Sequence, residues 1–250
     1  MSEAAFVRIE EVTRTYRRGG EEIHALDAFS LDIPQGGFYA LMGPSGSGKT
    51  TLLNLLGGLD LPDAGRVLVD GEELAGLSGS ERAQWRADNV GFVFQGFNLL
   101  GVLTALQNVE LPLLLTPLPR RRRREQALYA LELVGLADRA HHRPRELSGG
   151  QEQRVAIARA LATDPKLILA DEPTGDLDRK TADAVLDLLV RLNQEFGKTI
   201  VMVTHDPLAA DHARHVVHLD KGKLGRIEEN PPRGAAAANP TEGAAPESGT

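Results

Sequence analysis

The stretch GPSGSGKTT, residues 43–51, combines glycines, one lysine and two adjacent threonines at a spacing that suits phosphate. An apolar run precedes it and a helical pattern follows, which is the context that the phosphate-loop pattern G-x-x-x-x-G-K-[ST] requires. Glycines allow the backbone to turn its N–H groups toward phosphate oxygens. Lys49 is expected to face the β- and γ-phosphates, and Thr50 to offer its hydroxyl to Mg²⁺. The predicted nucleotide contacts are Gly43, Pro44, Ser45, Gly46, Ser47, Gly48, Lys49, Thr50 and Thr51.

Acidic and imidazole side chains follow two later apolar runs. LILADEP places Asp171 and Glu172 at the carboxyl end of a predicted buried strand, and TIVMVTH ends at His205. Asp171 is predicted to hold Mg²⁺ through water, and Glu172 to polarise the attacking water as a general base. His205 is expected at the same edge of the sheet, within reach of the γ-phosphate, although a lone histidine is more often structural.

A second candidate anion site is LSGGQEQRVAIARAL, residues 147–161, where a glycine pair opens a helical pattern. Free N–H groups and the positive end of the helix dipole favour an anion at such a helix start. In a monomer this second site is redundant, because the phosphate loop already binds the nucleotide.

The elements that position these residues alternate along the chain. The apolar runs VRIEEVTRTY, LDAFSLDIP, FYALMG, RVLVDG, LILADE and TIVMVTH predict strands. TTLLNLLGGL predicts a helix that closes at Gly57 and Gly58, and an amphipathic helix is expected at about residues 180–195. Buried strands alternating with helices predict an α/β fold with a mostly parallel sheet that is covered on both faces.

The middle of the chain lacks a convincing strand, and Pro112, Pro117, Pro119 and Pro144 interrupt its helical patterns. We interpret it as a helical insertion. The end of the chain is rich in Pro, Ala and Gly and lacks large apolar side chains, which predicts a disordered tail. The predicted boundaries of the core are 1–95 and 161–225, those of the helical subdomain 96–160, and those of the tail 226–250.

Composition excludes several classes of protein. The net charge of −7 argues against a general nucleic-acid-binding role. The absence of cysteine excludes disulfides and cysteine metal sites, and is typical of a reducing compartment. The N-terminus lacks a signal-peptide pattern, and the longest apolar stretch, LPLLL, is too short to span a bilayer. We therefore expect a cytoplasmic protein whose membrane work is done through a partner.

In order along the chain, GPSGSGKT, FVFQ, LSGGQ, ILADEP, the following DLD and the TH at His205 resemble the ATP-binding subunits of ABC transporters, over about residues 5–225. The resemblance implies a phosphate-loop, RecA-like core, an N-terminal antiparallel β region and an inserted α-helical subdomain. It also implies ATP and Mg²⁺ as ligands, with Tyr16 stacking on adenine and Gln95 meeting Mg²⁺ and linking core to insertion. Asp178 matches the acid of a loop that crosses a dimer interface, and His205 matches the switch histidine.

The resemblance also explains the second anion site. It implies a head-to-tail homodimer in which Ser148 and Gly150 of one copy cover the γ-phosphate that Lys49 of the other copy holds. The residues that match the signature motif are Ser148, Gly149, Gly150 and Gln151. Two positions depart from the family pattern, Glu152 after the signature and Asp176 in the interface loop; both add negative charge, and we expect them to lower the rate without abolishing activity.

GVLTALQNVELPLLL, LADRAHHRPRELSGG and ILADEPTGDLD with VTHDPLAA most resemble the lipoprotein-release and macrolide-export group. The membrane subunits of that group have few spanning helices and a large external domain, so peripheral attachment to the inner face of the cell membrane is implied. The alternatives are a regulatory ATPase with a cell-division-type membrane subunit and a non-transport ABC ATPase. A phosphate-loop kinase would have no use for the signature motif. The transported substrate is not encoded here.

Three other features allow more than one interpretation. The arginines at 120–124 precede a helical pattern; they could contact anionic lipid headgroups, but a solvated helix start is favoured. His212, His215 and His218, with His205, could suggest a metal site, but a structural or surface role is favoured, as it is for the pair His141–His142. The apolar segment 96–115 is either part of the core or, given its place after Gln95, part of the surface that receives a coupling helix from the membrane subunit.

Overall fold

The computed structural model describes residues 5–17 and 22–231 completely, and residues 18 and 21 by their backbone. The strands are β1 (Ala5–Arg18), β2 (Glu21–Pro34), β3 (Phe38–Met42), β4 (Ala64–Val69), β5 (Glu72–Glu73), β6 (Val90–Phe94), β7 (Leu167–Asp171), β8 (Thr199–Val203), β9 (His215–Asp220) and β10 (Lys223–Glu229). The helices are α1 (Lys49–Leu56), α2 (Gly79–Asn89), α3 (Ala105–Glu110), α4 (Arg120–Leu133), α5 (Gly149–Leu161), α6 (Arg179–Phe196) and α7 (Pro207–Ala210). No helix within these ranges is long and apolar enough to cross a membrane.

The strands form two sheets. A four-stranded antiparallel sheet has the order β2-β1-β4-β5, and a six-stranded sheet has the order β10-β9-β3-β8-β7-β6. Strands β9, β3, β8, β7 and β6 pair in parallel, and only β10 is antiparallel to its neighbour. The predicted α/β class, with an antiparallel N-terminal region and a mostly parallel core sheet, is confirmed.

The continuous apolar runs of the core strands are explained by burial on both faces of the large sheet. On β7, Ile168 and Ala170 belong to one hydrophobic cluster, whereas Leu167 and Leu169 belong to the other. Helices α3 to α6 cover the first cluster, while α1 and the antiparallel sheet enclose the second. Side chains alternate between the two faces of a strand, and both faces are buried here. Odd- and even-numbered positions must therefore both be apolar.

The predicted tail begins too early. Strand β10 continues to Glu229 because it pairs antiparallel with β9, with Ile227 opposite Val217 and Glu229 opposite His215. Residues 226–229 therefore belong to the fold. The remainder of the predicted tail, 232–250, lies outside the described residues.

Helix α4 begins at Arg120, so the arginine run forms its first turns instead of preceding it. Pro119 stands at the N-cap with extended backbone, which starts the helix there. Arg121 and Arg122 lie 3.5 and 3.1 Å from Glu125. These ion pairs are exposed and offset part of the unfavourable dipole interaction of cations at a helix start.

The three histidines near the C-terminus have different contacts. His212 Nδ1 lies 3.0 Å from the carbonyl oxygen of Leu208, His215 stacks on Tyr39 at 4.5 Å, and His218 lies 3.4 Å from Glu228. Within the described ranges, no group of three or more His, Asp or Glu side chains is arranged to hold a metal ion. The contacts support the structural interpretation.

Candidate functional site

The loop between β3 and α1 presses closely against two other strands. Gly43 and Gly48 have φ angles of 154° and 101°, in the left-handed region that favours glycine. A Cβ atom would lie 2.2 Å from the carbonyl oxygen of Leu219 at Gly43, and 2.2 Å from that of Ala25 at Gly48. Both glycines are therefore required by backbone conformation and by close approach.

The loop presents free donors to a cavity of about 460 Å³. Among the described residues, no acceptor faces the backbone N–H groups of Gly46, Gly48 or Lys49. The N–H groups that open α1 point in the direction in which the helix dipole favours negative charge. This cradle fits the phosphates of a nucleotide.

Lys49 is buried beneath the loop. Its Nζ donates hydrogen bonds of 2.8 Å to the carbonyl oxygens of Gly43 and Pro44. Burial lowers the pKa of the ammonium group, an effect that the carboxylates of Glu172 and Asp171 oppose. A phosphate chain in the cavity would give this desolvated cation an additional anionic partner.

The predicted acids lie at the carboxyl edge of the large sheet. The registers Phe94 opposite Asp171, and Asp171 opposite Val203, bring the ends of β6, β7 and β8 together. Burial, and secondarily the charge of Glu172, raises the pKa of Asp171, while Lys49 and a hydrogen bond with Thr50 lower it. A partly buried carboxylate beside a hydroxyl and a second carboxylate has the hard oxygen ligands that Mg²⁺ prefers.

Glu172 has an unusual backbone conformation for its position. Its φ is 46°, and its N–H donates to the carbonyl oxygen of Val203 at 2.9 Å. Its Oε2 lies 2.8 Å from Nδ1 of His205, whose side chain is 70% exposed. Both side chains line the same cavity as Lys49. A left-handed non-glycine residue stores backbone strain, which is typical of functional sites, and the sequence carries no signal for it.

Tyr16 lines the cavity from β1, opposite Ile23 of β2. Its hydroxyl donates a 2.7 Å hydrogen bond to Asp60. Ile23 and Ala25 also line the cavity and were not predicted. Their place in β2, across from the expected base-stacking residue, is the signal that could have identified them.

Gln95 follows the end of β6, one residue beyond the strand that pairs with β7. Its Nε2 donates a 2.8 Å hydrogen bond to Oδ1 of Asp176. Gln95 is not among the residues that line the cavity. Asp176, identified in the sequence only as a departure from the family pattern, thus has a specific partner.

The signature residues lie outside the cavity of their own chain. Ser148 caps α5, accepting a hydrogen bond from the N–H of Gln151, while its own N–H donates to the Gln151 side chain. A Cβ atom at Gly150 would lie 2.2 Å from Cγ2 of Thr181, and one at Gly149 would lie 3.4 Å from Leu177. This motif therefore packs against the start of α6.

Asp178 caps α6. It accepts hydrogen bonds from the N–H and the hydroxyl of Thr181 at 3.1 and 2.6 Å. These bonds lower its pKa, with the side-chain bond contributing most. The cap and the Gly150 contact place the signature motif and the interface loop side by side.

An ABC transporter family model matches residues 26–175. The lipoprotein-releasing system ATP-binding protein LolD of Chromohalobacter salexigens is 47% identical over 218 residues, which make up 87% of this chain and 92% of that protein. The macrolide export ATP-binding/permease protein MacB 1/2 of Paracoccus denitrificans is 49% identical over 240 residues, 96% of this chain and 35% of that protein.

A solved structure is also similar. The ATP-binding cassette MJ0796 of Methanocaldococcus jannaschii, in a dimeric post-hydrolysis state bound to ADP and Pi, has a TM-score of 0.81 at 47% identity and covers 92% of this chain and 100% of its own. The similarity extends over the core and the helical insertion, which confirms the RecA-like cassette fold. The chain therefore belongs to the ABC transporter family, as an ATP-hydrolysing subunit of the lipoprotein-release and macrolide-export group.

Proposed function

We propose that Glu172 is the general base of ATP hydrolysis and that Lys49 and the loop N–H groups hold the triphosphate. The observation that carries this assignment is the Glu172 carboxylate, which faces the same cavity as Lys49 and lies 2.8 Å from His205. The imidazole orients the carboxylate and is itself near enough to the cavity to contact the γ-phosphate. Thr50 and Asp171 would hold Mg²⁺, which, when bound, neutralises charge on the phosphate oxygens.

Gln95 would join this site only after a rearrangement. Its amide is held by Asp176, and the register of β6 and β7 places it next to Asp171. We therefore propose that, when the nucleotide is bound, the Gln95 side chain leaves Asp176 and contacts the metal site instead. Because Gln95 is the first residue after β6, this movement would shift the segment that follows β6 when the nucleotide binds.

We propose that two copies close around two ATP molecules. In a single chain Ser148, Gly149 and Gly150 do not line the nucleotide cavity, so they can contact a nucleotide only on another copy. The dimeric structures of the related cassette MJ0796 support this arrangement. Asp178, next to the signature motif, would lie at the interface.

A membrane subunit is proposed to dock at a groove of about 500 Å³ formed by α2, β6, α5 and the turn at Pro112–Leu115. Leu59 and Leu115 are 51% and 67% exposed along it. Arg159 holds the carbonyl oxygens of Phe97 and Asn98, two consecutive residues with positive φ, and also lines the groove. A shift at Gln95 would therefore move one wall of the groove.

The partner that we propose has few spanning helices and a large external domain, and it would hold this subunit at the inner face of the membrane. MacB proteins, which are named as joint ATP-binding and permease chains, support this choice. Co-purification with a cell-division-type membrane protein would favour the regulatory alternative, and ribosome or DNA association would favour a non-transport ATPase.

The Glu172→Gln variant tests the catalytic assignment. We expect it to bind ATP and stop turnover, because the amide keeps the shape but cannot accept a proton, so that an ATP-bound dimer accumulates in size-exclusion chromatography. Glu11→Gln is the matched control, since Glu11 also has a φ of 46° but lies away from the cavity. Normal ATP hydrolysis by Glu172→Gln would refute the general-base role.

A further inference from the structure

Tyr16 belongs to a cluster of charged residues, Arg14, Asp60 and Asp63, that do not line the nucleotide cavity. Cζ of Arg14 lies 4.9 Å from the centroid of the Tyr16 ring, in a cation–π arrangement. Tyr16 lines the cavity, whereas Arg14 does not. The guanidinium thus covers one face of the ring, while the Tyr16 side chain, 37% exposed, still lines the cavity.

The guanidinium is itself held by two carboxylates. Arg14 binds Asp60 with two hydrogen bonds of 2.8 and 3.0 Å, and Asp63 with one of 2.6 Å. The Asp60 oxygen that accepts from Arg14 Nε also accepts the Tyr16 hydroxyl at 2.7 Å. The backbone N–H of Thr15 donates to Asp63 at 2.6 Å. Tyr16 is therefore fixed at both its ring face and its hydroxyl.

The same cluster connects β1 to the phosphate-binding helix. The N–H groups of Leu59 and Asp60 donate to the carbonyl oxygen of Asn54 in α1, at 2.9 and 3.3 Å. The N–H of Asp63 donates to the carbonyl oxygen of Thr13 in β1 at 2.9 Å. The ring of Tyr16 is thereby held at a set position relative to the phosphate loop, although Tyr16 lies in the antiparallel sheet and the loop follows β3 of the other sheet.

We propose that Arg14, with Asp60 and Asp63, is a positioning residue that orders Tyr16 for stacking on the nucleotide base, and so determines how far the site favours ATP over inorganic triphosphate. This inference rests on the base-stacking role that the family resemblance implies for Tyr16. An ordered side chain loses less conformational freedom on binding, and the free energy saved appears as affinity for the base alone. Phosphate contacts at Lys49 do not depend on it.

The test compares dissociation constants for MgATP and magnesium triphosphate, measured by titration calorimetry on the full chain. Arg14→Met should weaken ATP binding roughly 3- to 10-fold and leave triphosphate binding unchanged. Arg66→Met is the matched control, because Arg66 also bridges two carboxylates, Glu10 and Glu73, in the same sheet. Equal weakening of both ligands by Arg14→Met, or no weakening of ATP binding, would overturn the inference.

Two substitutions at Tyr16 separate this inference from the role on which it rests. Tyr16→Phe keeps the ring but loses the bond to Asp60, so it should weaken ATP binding in the same direction as Arg14→Met. In a Tyr16→Ala background, Arg14→Met should cause no further loss. If Tyr16→Ala binds ATP normally, base stacking by Tyr16 fails and the inference with it. If Tyr16→Ala weakens ATP binding but Arg14→Met does not, only the inference fails.

Discussion

Asp171 and Glu172 are consecutive acids with different surroundings. Asp171 ends β7, where burial and the neighbouring Glu172 carboxylate raise its pKa. Glu172 leaves the strand with a left-handed backbone and contacts His205. The two environments suit different tasks, since a metal ligand tolerates burial when a cation compensates its charge, whereas a general base must reach the water that it deprotonates.

The raised pKa of Asp171 has a consequence for stability. The folded state disfavours the ionised carboxylate, so the cost is full above the folded pKa and disappears as the pH falls below the ordinary value of 3.8. We expect Asp171→Asn to raise the Tm of the nucleotide-free protein at pH 7.5 by about 1 to 3 °C, and this gain to shrink on acidification. Thermal unfolding across a pH series measures it.

Asp211→Asn is the control for this experiment, because Asp211 is exposed and does not line the cavity. Asp171→Asn should also lose the stabilisation that Mg²⁺ adds to bound ATP. A nucleotide-free Asp171→Asn protein that unfolds at a lower temperature than the wild type at pH 7.5 would contradict the expected sign.

At the level of elements, the contact between α5 and α6 limits the residue at position 150. Gly150 lies in the first turn of α5, and Cγ2 of Thr181 occupies the space that a Cβ would need. The glycine that the signature pattern attributes to phosphate contact therefore also has a packing role within the chain. The Thr181 hydroxyl, on the same side chain, binds Asp178.

Gly150→Ala should lower the free energy of unfolding by about 1–3 kcal/mol, because the added methyl group overpacks the contact. Thr181→Ser in the same chain should restore most of this loss, since it removes Cγ2 and keeps the hydroxyl. Gly79→Ala in α2, where no atom lies within 4 Å of the new Cβ, is the control. Denaturant unfolding is the measurement, and a Gly150→Ala protein as stable as the wild type would contradict the packing role.

For the assembled molecule, the proposed dimer implies that one chain carries both halves of a nucleotide site on different surfaces. The phosphate loop, Glu172 and His205 line the cavity, while the signature motif packs beside the start of α6. A site made from both halves therefore needs two copies in opposite orientation. The proposed docking groove lies on α2, β6 and the helical insertion, so dimerisation and membrane coupling can use separate surfaces.

Ser148→Arg should leave nucleotide binding by the isolated chain intact and abolish cooperative hydrolysis, because the large cation obstructs the partner's phosphate site. ATPase rate against protein concentration, together with size-exclusion chromatography, measures this. Ser78→Arg is the matched control, since Ser78 caps α2 with the same reciprocal hydrogen bonds. Cooperative hydrolysis by Ser148→Arg would argue against the head-to-tail dimer.

The features that depend on neighbouring residues could be predicted from the order of the amino acids. Glycine spacing and Lys49 identify the phosphate loop, apolar runs identify β7 and β8, and the acids and His205 follow at their ends. Parallel strands then bring those ends to one edge, so the position of the cluster that we propose as catalytic was predictable. The helical insertion was predicted from the strand-free, proline-interrupted middle of the chain, and the antiparallel N-terminal region through the family resemblance.

The contacts between distant segments are visible only in the folded structure. Gln95 binds Asp176, Arg14 binds Asp60, and Gly150 contacts Thr181, in each case across a gap in sequence that local patterns do not cover. The same reason explains why β10 extends past residue 225, since its strand exists through pairing with β9. Such contacts depend on how whole elements pack, because the packing of the assembled core determines which distant side chains lie next to each other.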